Sequence, residues 1–164
     1  MVAMVARICA KSPKFVAQAD LAWTLVARAD AVRAELAHAR ERDEQAFARV
    51  VSASALPKDA PSRRDVLERA LHDAATAPLH AARLSLQVIQ LATELLQIRN
   101  KNLVSDVGCA AEFGAAAVAA CAYNVRINHA FMKDADAIAS QEHELARYER
   151  ESRALLSAMR RSLL

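Results

Sequence analysis

The residue that stands out for chemistry is Asp43, a carboxylate set among apolar side chains. At about 100° per residue around a helix, Leu25, Val32, Leu36, Phe47 and Val50 all fall within roughly 20–40° of it. The pattern predicts a dry stripe with an acid in its middle. A carboxylate in such a place either takes a strong donor or keeps its proton, because burying it ionised and alone costs several kcal/mol. An acid that exchanges its proton near neutral pH is what general acid–base catalysis needs. Glu41, about 160° around the same helix, is expected to face water. The plainer reading of Asp43 is an ion pair with Lys58 or an arginine.

Further polar candidates lie downstream. Asp106 and Asn124 are eighteen residues apart, about five turns, so they share one line of a helix, with Asn128 roughly 40° away. At about 1.5 Å per residue their separation is ~27 Å, too far for one reacting atom but suited to a long ligand or to two sites across a symmetric interface. Asp106 reads most simply as a helix N-cap, and Asn124 and Asn128 as amides that satisfy each other or act as ligands. His38, His72, His80, His129 and His143 show no ligand spacing, and Cys9, Cys109 and Cys121 show no CxxC or Cys/His pattern. Neither a metal nor a disulfide framework is expected, and a reducing cytoplasm fits.

The elements that must position these groups are helices. Two Gly, four Pro and 54% hydrophobic residues rich in Ala, in a chain of 164, predict an all-α fold forming one domain. A first helix is expected over Met1 to about Ala10, broken near Ser12-Pro13. A second runs from about Lys14 to Ala55 and stops at Leu56-Pro57. A third has Pro61 in its first turn and is kinked or interrupted by Pro78. Asn100-Lys101-Asn102 is a turn. The fourth begins near Ser105 or Asp106 and ends about Met132; its Ala, Gly114, Val and Cys residues suggest the central helix of a bundle or a dimer seam. An amphipathic fifth follows Asp136, with Leu145, Leu155, Leu156, Met159 and Leu163 along its seam.

Net charge is +3, with both signs interleaved and seven aromatics that do not alternate with bases, which disfavours nucleic acid. No run is expected to approach the length of a membrane span.

Several ordered segments resemble the cyclodeaminase/cyclohydrolase family of folate enzymes. Glu41-Arg42-Asp43-Glu44-Gln45-Ala46-Phe47 followed by Leu56-Pro57-Lys58 is similar to its D-x-D-x-x-A-F…L-P-K signature, with Glu41 where Asp is usual. Asn100 to Gly108 resembles N-x-N-x-x-S-D-V-G, and Asn124-Val125-Arg126-Ile127-Asn128 resembles N-V-x-I-N. Pro78-Leu79 and the Met4 to Phe15 stretch also line up, so the likeness extends to about Asp134. It implies an antiparallel helical bundle, a homodimer with the folate cavity at or near the subunit interface, and no cofactor beyond tetrahydrofolate as the carrier of the one-carbon group. Asp43 is the catalytic residue it implies, and Lys58, Ser105, Asp106, Asn124 and Asn128 the substrate-binding ones.

The activity it implies is hydrolysis of 5,10-methenyltetrahydrofolate to 10-formyltetrahydrofolate. The alternatives are deamination of 5-formiminotetrahydrofolate, in which N10 attacks the formimino group and ammonia leaves, and an inactive helical scaffold. Hydrolysis is preferred because the deaminase usually sits beside a transferase domain. Members of the family open with a Pro-Gly-Gly-Gly-Ser loop before the first long helix, and this chain opens partway along that helix. The expectation is therefore a start at an internal methionine and a site short of one loop.

Overall fold

The structure is a computed structural model that describes residues 1–163. Five α-helices, antiparallel along the bundle, account for nearly all of it: α1 (Val2–Ala10), α2 (Ala19–Ser54), α3 (Arg63–Leu95), α4 (Val104–His129) and α5 (Ala135–Leu163). Among the described residues there is no strand. The all-α expectation holds.

The central helix is α3, not the small-residue helix α4. Fifteen residues of α3 are buried, Leu71, Leu79, Leu86, Ile89 and Leu95 among them, and α1, α2, α4 and α5 all pack against it. Leu25, Ile89, Leu145, Val5, Val118 and Val125 are among the largest fully buried side chains, each contributing about 1.5–3 kcal/mol. Between α3 and α4 the backbones approach closely at Gly114, where a β-carbon would stand 2.7 Å from Ile89 Cγ1 and 3.1 Å from the Ser85 carbonyl. A substituent there would overpack the seam.

Several helix boundaries differ from expectation for local reasons. The Ser12-Pro13 break is present, but α2 does not start at Lys14. The Ser12 hydroxyl accepts from the Lys14 amide, Pro13 opens a 3-10 turn (Pro13–Gln18), and Phe15 leaves helical geometry at φ −121°, ψ 25°. After α2, Arg63 donates to the carbonyls of Leu56 (3.0 Å) and Ser54 (3.3 Å), closing the turn at Pro57. Pro61 lies in that turn and not in the first turn of α3, which begins at Arg63. The Asn100 turn forms as expected: Asn100 Oδ1 accepts from the Asn102 amide at 3.2 Å, after Arg99 takes a left-handed φ of 55°. Helix α5 is started by Asp134, whose Oδ1 accepts from the Ala137 amide at 3.0 Å.

Pro78 does not interrupt α3, which runs through it as one helix. A proline there removes the N–H that would bond the carbonyl four residues back, at Ala74. Asn128 of α4 supplies the missing donor: its Nδ2 lies 3.0 Å from the Ala74 carbonyl and 2.8 Å from that of Asn124. The vacancy left by the proline is thus closed by a neighbouring helix.

Contrary to the sequence expectation, α4 is long and apolar enough, by length and composition alone, to cross a membrane. Its apolarity comes from alanine. One side of it packs on α3 and α5, fixed by Arg126, which pairs with Glu142 (2.6 Å) and Glu149 (2.9 Å) of α5. The other side is open.

Candidate functional site

The open side is a trough. Both α2 and α4 pack on α3 yet scarcely touch each other, so α3 forms a floor between two separated walls. Three cavities follow one another along it. The first, of about 310 Å³, lies between Val32, Arg33 and Leu36 of α2, Ser85 and Val88 of α3, and Phe113, Gly114 and Ala117 of α4. The second, about 190 Å³, is lined by Leu36, Arg40 and Asp43 opposite Cys121 and Asn124, over Pro78. The third, about 580 Å³, has Asp43, Phe47, Val50 and Ser54 on one wall and Asn124, Ile127, Asn128 and Phe131 on the other, over Leu67, Leu71 and Ala74. Leu36 joins the first to the second, and Asp43 with Asn124 joins the second to the third. The third is within the size range of small-molecule sites.

Asp43 therefore sits at the middle of the trough and not within the core. The expected dry stripe is incorrect: Leu25 is buried, Val32, Leu36 and Val50 are half-buried, Phe47 is 68% exposed, and Asp43 itself is exposed. The angles around α2 hold, but no helix packs directly against that side of it; α4 faces it only across the trough, so the stripe lines a wall and water reaches the carboxylate. Neither the ion pair with Lys58 nor one with an arginine is present; among the described residues Asp43 has no hydrogen-bond or ion-pair partner. Across the trough, burial pushes the Cys121 thiol up, and the Asp43 carboxylate facing it adds to the rise.

The remaining sequence candidates divide. Asn124 and Asn128 both line the third cavity. Asn128 spends its amide N–H on carbonyls, leaving its oxygen for the cavity; Asn124 has its whole side-chain amide unbonded among the described residues. The two do not satisfy each other through their side chains. Lys58 is exposed in the α2–α3 connection and lines none of the three cavities. Ser105 and Asp106 lie in the first turn of α4, ~27 Å along it from Asn124. Asp106 is not the N-cap. Helix α4 begins at Val104, and its capping position is Leu103, three residues before Asp106, with no side-chain cap, so Asp106 sits in the first turn and contributes its charge near the positive helix end.

Sequence reasoning missed Arg33, Arg40, Cys121 and Phe131. The signal was present: Leu36, Arg40, Asp43, Phe47, Val50 and Ser54 recur at alternating spacings of four and three, and so do Ala117, Cys121, Asn124, Asn128 and Phe131. Two such lines facing each other define the trough.

A family model described as Formiminotransferase-cyclodeaminase matches residues 1–147. The chain belongs to the formiminotransferase-cyclodeaminase family. Among its relatives, a methenyltetrahydrofolate cyclohydrolase of Methylorubrum extorquens is 31% identical over 133 residues, which is 78% of this chain and 64% of that protein. The chain thus spans a little under two-thirds of that relative's length. A formiminotetrahydrofolate cyclodeaminase from Thermotoga maritima has the same fold, with a TM-score of 0.90 at 23% identity over 99% of this chain and 79% of that one. Family members are folate-pathway enzymes.

Proposed function

We propose that this protein is a folate one-carbon enzyme that hydrolyses 5,10-methenyltetrahydrofolate to 10-formyltetrahydrofolate, with Asp43 as its acid–base group. The observation that carries this is the unpaired Asp43 carboxylate at the junction of two cavities, beside the unbonded amide of Asn124. As water adds to the methenyl carbon, Asp43 removes a proton, and it returns that proton to N5 as the C–N5 bond breaks. The second proton of the water leaves to solvent as the formyl carbonyl forms. Asn124 is placed to orient the substrate. The 31% identity to a methenyltetrahydrofolate cyclohydrolase supports hydrolysis over the cyclodeaminase reaction, whose structural counterpart is 23% identical.

The functional unit in this reading is a homodimer. The outer stripe of α4, bordering the trough, exposes Phe113 (68%), Tyr123 (79%) and Ile127 (58%) with exposed Ala116 and Ala120 between them. A second copy on this stripe would cover the apolar side chains and shield the trough from water. Lys58, Ser105 and Asp106 take part in binding only if the second copy brings them to a trough. Light scattering on the wild type and on Ala120→Arg tests this: a dimeric mass that falls to the monomer in the variant supports it, and a monomeric wild type refutes it.

The activity test follows loss of methenyltetrahydrofolate absorbance above the spontaneous rate, with ammonia release from 5-formiminotetrahydrofolate measured in parallel. Accelerated loss without ammonia release supports hydrolysis. Ammonia release alone assigns the cyclodeaminase reaction instead, and neither activity makes the chain a helical scaffold.

A further inference from the structure

The trough is not symmetric about Asp43, and its asymmetry gives a direction. Of the side chains lining the three linked cavities, the charged ones are Asp43, Arg33 and Arg40. Both cations lie on the same side of the acid. Arg40 stands one turn from Asp43 along α2 and Arg33 about 15 Å from it. The opposite arm contains no cation; it is the larger cavity, with the Asn124 and Asn128 amides, the Ser54 hydroxyl and a rim formed by Phe47 (68% exposed) and Phe131 (63% exposed).

The two arginines are also free to turn. Arg33 approaches Asp30, and Arg40 approaches Glu44, at 3.8 Å in each case, within their own helix and too far for a hydrogen bond. Other arginines are held firmly: Arg28 grips Glu94 of α3 at 2.5 and 2.8 Å, and Arg160 grips Glu112 of α4 at 2.7 Å twice. A guanidinium without a committed partner, beside an apolar channel, is suited to carboxylates arriving at the end of a planar spacer.

Resting on the folate reading above, we propose that the substrate lies along the trough in one direction. The pterin occupies the large arm between Phe47 and Phe131, and the aminobenzoyl group crosses the narrow cavity over Pro78. The glutamate carboxylates then meet Arg40 and Arg33. This orientation sets the reactive carbon between N5 and N10 at Asp43, at the junction of the arms. The aromatic rim offers stacking surface to the bicyclic ring, and Asn124 and Asn128 offer amide groups to its heteroatoms. Reversal would set two carboxylates in the arm without a cation and a polar bicycle in the narrow one lined by Leu36, Ala39 and Ala81.

Calorimetric binding of 5-formyltetrahydrofolate, and of 5-formyltetrahydropteroate, which lacks the glutamate, tests the direction without turnover. The wild type should prefer the glutamate-bearing ligand about five-fold or more, in line with one or two charge pairs at a partly exposed site. In Arg33→Gln/Arg40→Gln that preference should vanish through weaker binding of the folate alone. Arg42→Gln, which removes a guanidinium facing Glu35 outside the trough, should leave both affinities unchanged. Phe47→Ala should weaken both ligands by the same factor. A preference that survives the double arginine substitution overturns the direction while leaving the folate site standing, and so does equal binding of the two ligands by the wild type. Absence of binding by either ligand overturns the folate reading and the direction with it.

Discussion

Helix α4 carries two polar faces that the fold treats in opposite ways. Toward α5, polar groups are matched: Arg126 holds Glu142 and Glu149, His129 Nε2 meets Gln141 Oε1 at 2.8 Å, and Gln141 Nε2 donates to Thr76 Oγ1 at 2.9 Å. Toward α2, Asn124 and Cys121 face Asp43 with no partner among the described residues. The matched face fixes two helices side by side. The unmatched face gives up stability that a partner would have supplied, and in a protein a group left in that state is a candidate for work on a ligand. Substitutions on the first face should therefore be read in stability, and those on the second in turnover.

The largest expected effect breaks or keeps that division directly. Asp43→Asn removes the proton-exchanging group, retains the volume and leaves no ion pair broken. Turnover of methenyltetrahydrofolate should fall about 10²- to 10⁴-fold, the usual range for loss of a general acid–base group. The thermal midpoint should stay put or rise slightly. If the variant keeps full activity, the unmatched face is merely solvated surface.

Asn128 is matched on one side and open on the other, which makes it the sharpest case. Its amide closes the Ala74 carbonyl that Pro78 leaves without a donor, and it also lines the large cavity. Asn128→Ala should cost about 1–3 kcal/mol of stability by leaving a buried carbonyl unsatisfied. Pro78→Ala restores a backbone N–H at the position that serves the same carbonyl. Chemical denaturation of both single variants and the double variant should give a clear coupling energy, with the Asn128 cost much reduced once the proline is gone. Independent, additive effects would mean that Asn128 matters only to the cavity.

What the sequence made legible follows from what local chemistry determines. Scarce Gly and abundant Ala give the helices, and Ser12-Pro13, Leu56-Pro57 and the Asn100 turn mark breaks because their causes lie within a few residues. Asp43 could be recognised as a misfit from its angle around α2. Whether a helix occupies the space at that angle is a tertiary fact, so the acid was placed in a core and is found on a trough wall. The partnership of Asn128 with Pro78 was illegible for the same reason, since donor and acceptor are separated by 54 residues. Asp106 differs for a more local reason: its side chain suits a cap, but the capping position falls three residues sooner, at Leu103, with no side-chain cap. Family resemblance named Lys58 and Asp106 by motif position, and a single chain does not bring either to the trough.

On the matched face the expected effects are smaller. Arg126→Gln breaks pairs to two carboxylates, yet Arg126 and Glu142 are more than a third exposed, so solvent screening limits the cost to about 1 kcal/mol. Because Arg126 holds the Glu149 carboxyl below its ordinary range, that stabilisation is present above the range and fades as pH falls through it.

His80 should give the mildest signal, and of opposite origin. It lies on α3 with its Nε2 buried and unbonded, 4.0 Å from Glu35 of α2 and flanked by Arg83 and Arg42. Burial lowers its affinity for a proton first, the two arginines lower it further, and Glu35 opposes them. As pH drops below the unfolded histidine value of about 6.5, the unfolded chain takes up a proton that the folded chain resists, so stability declines with acid. Thermal midpoints of wild type and His80→Gln between neutral and mildly acid pH should diverge, the variant losing less. Turnover relative to folded protein should not follow that difference, because His80 lies outside the trough. A pH profile of activity that shifts with His80→Gln would join the two faces that the structure keeps apart.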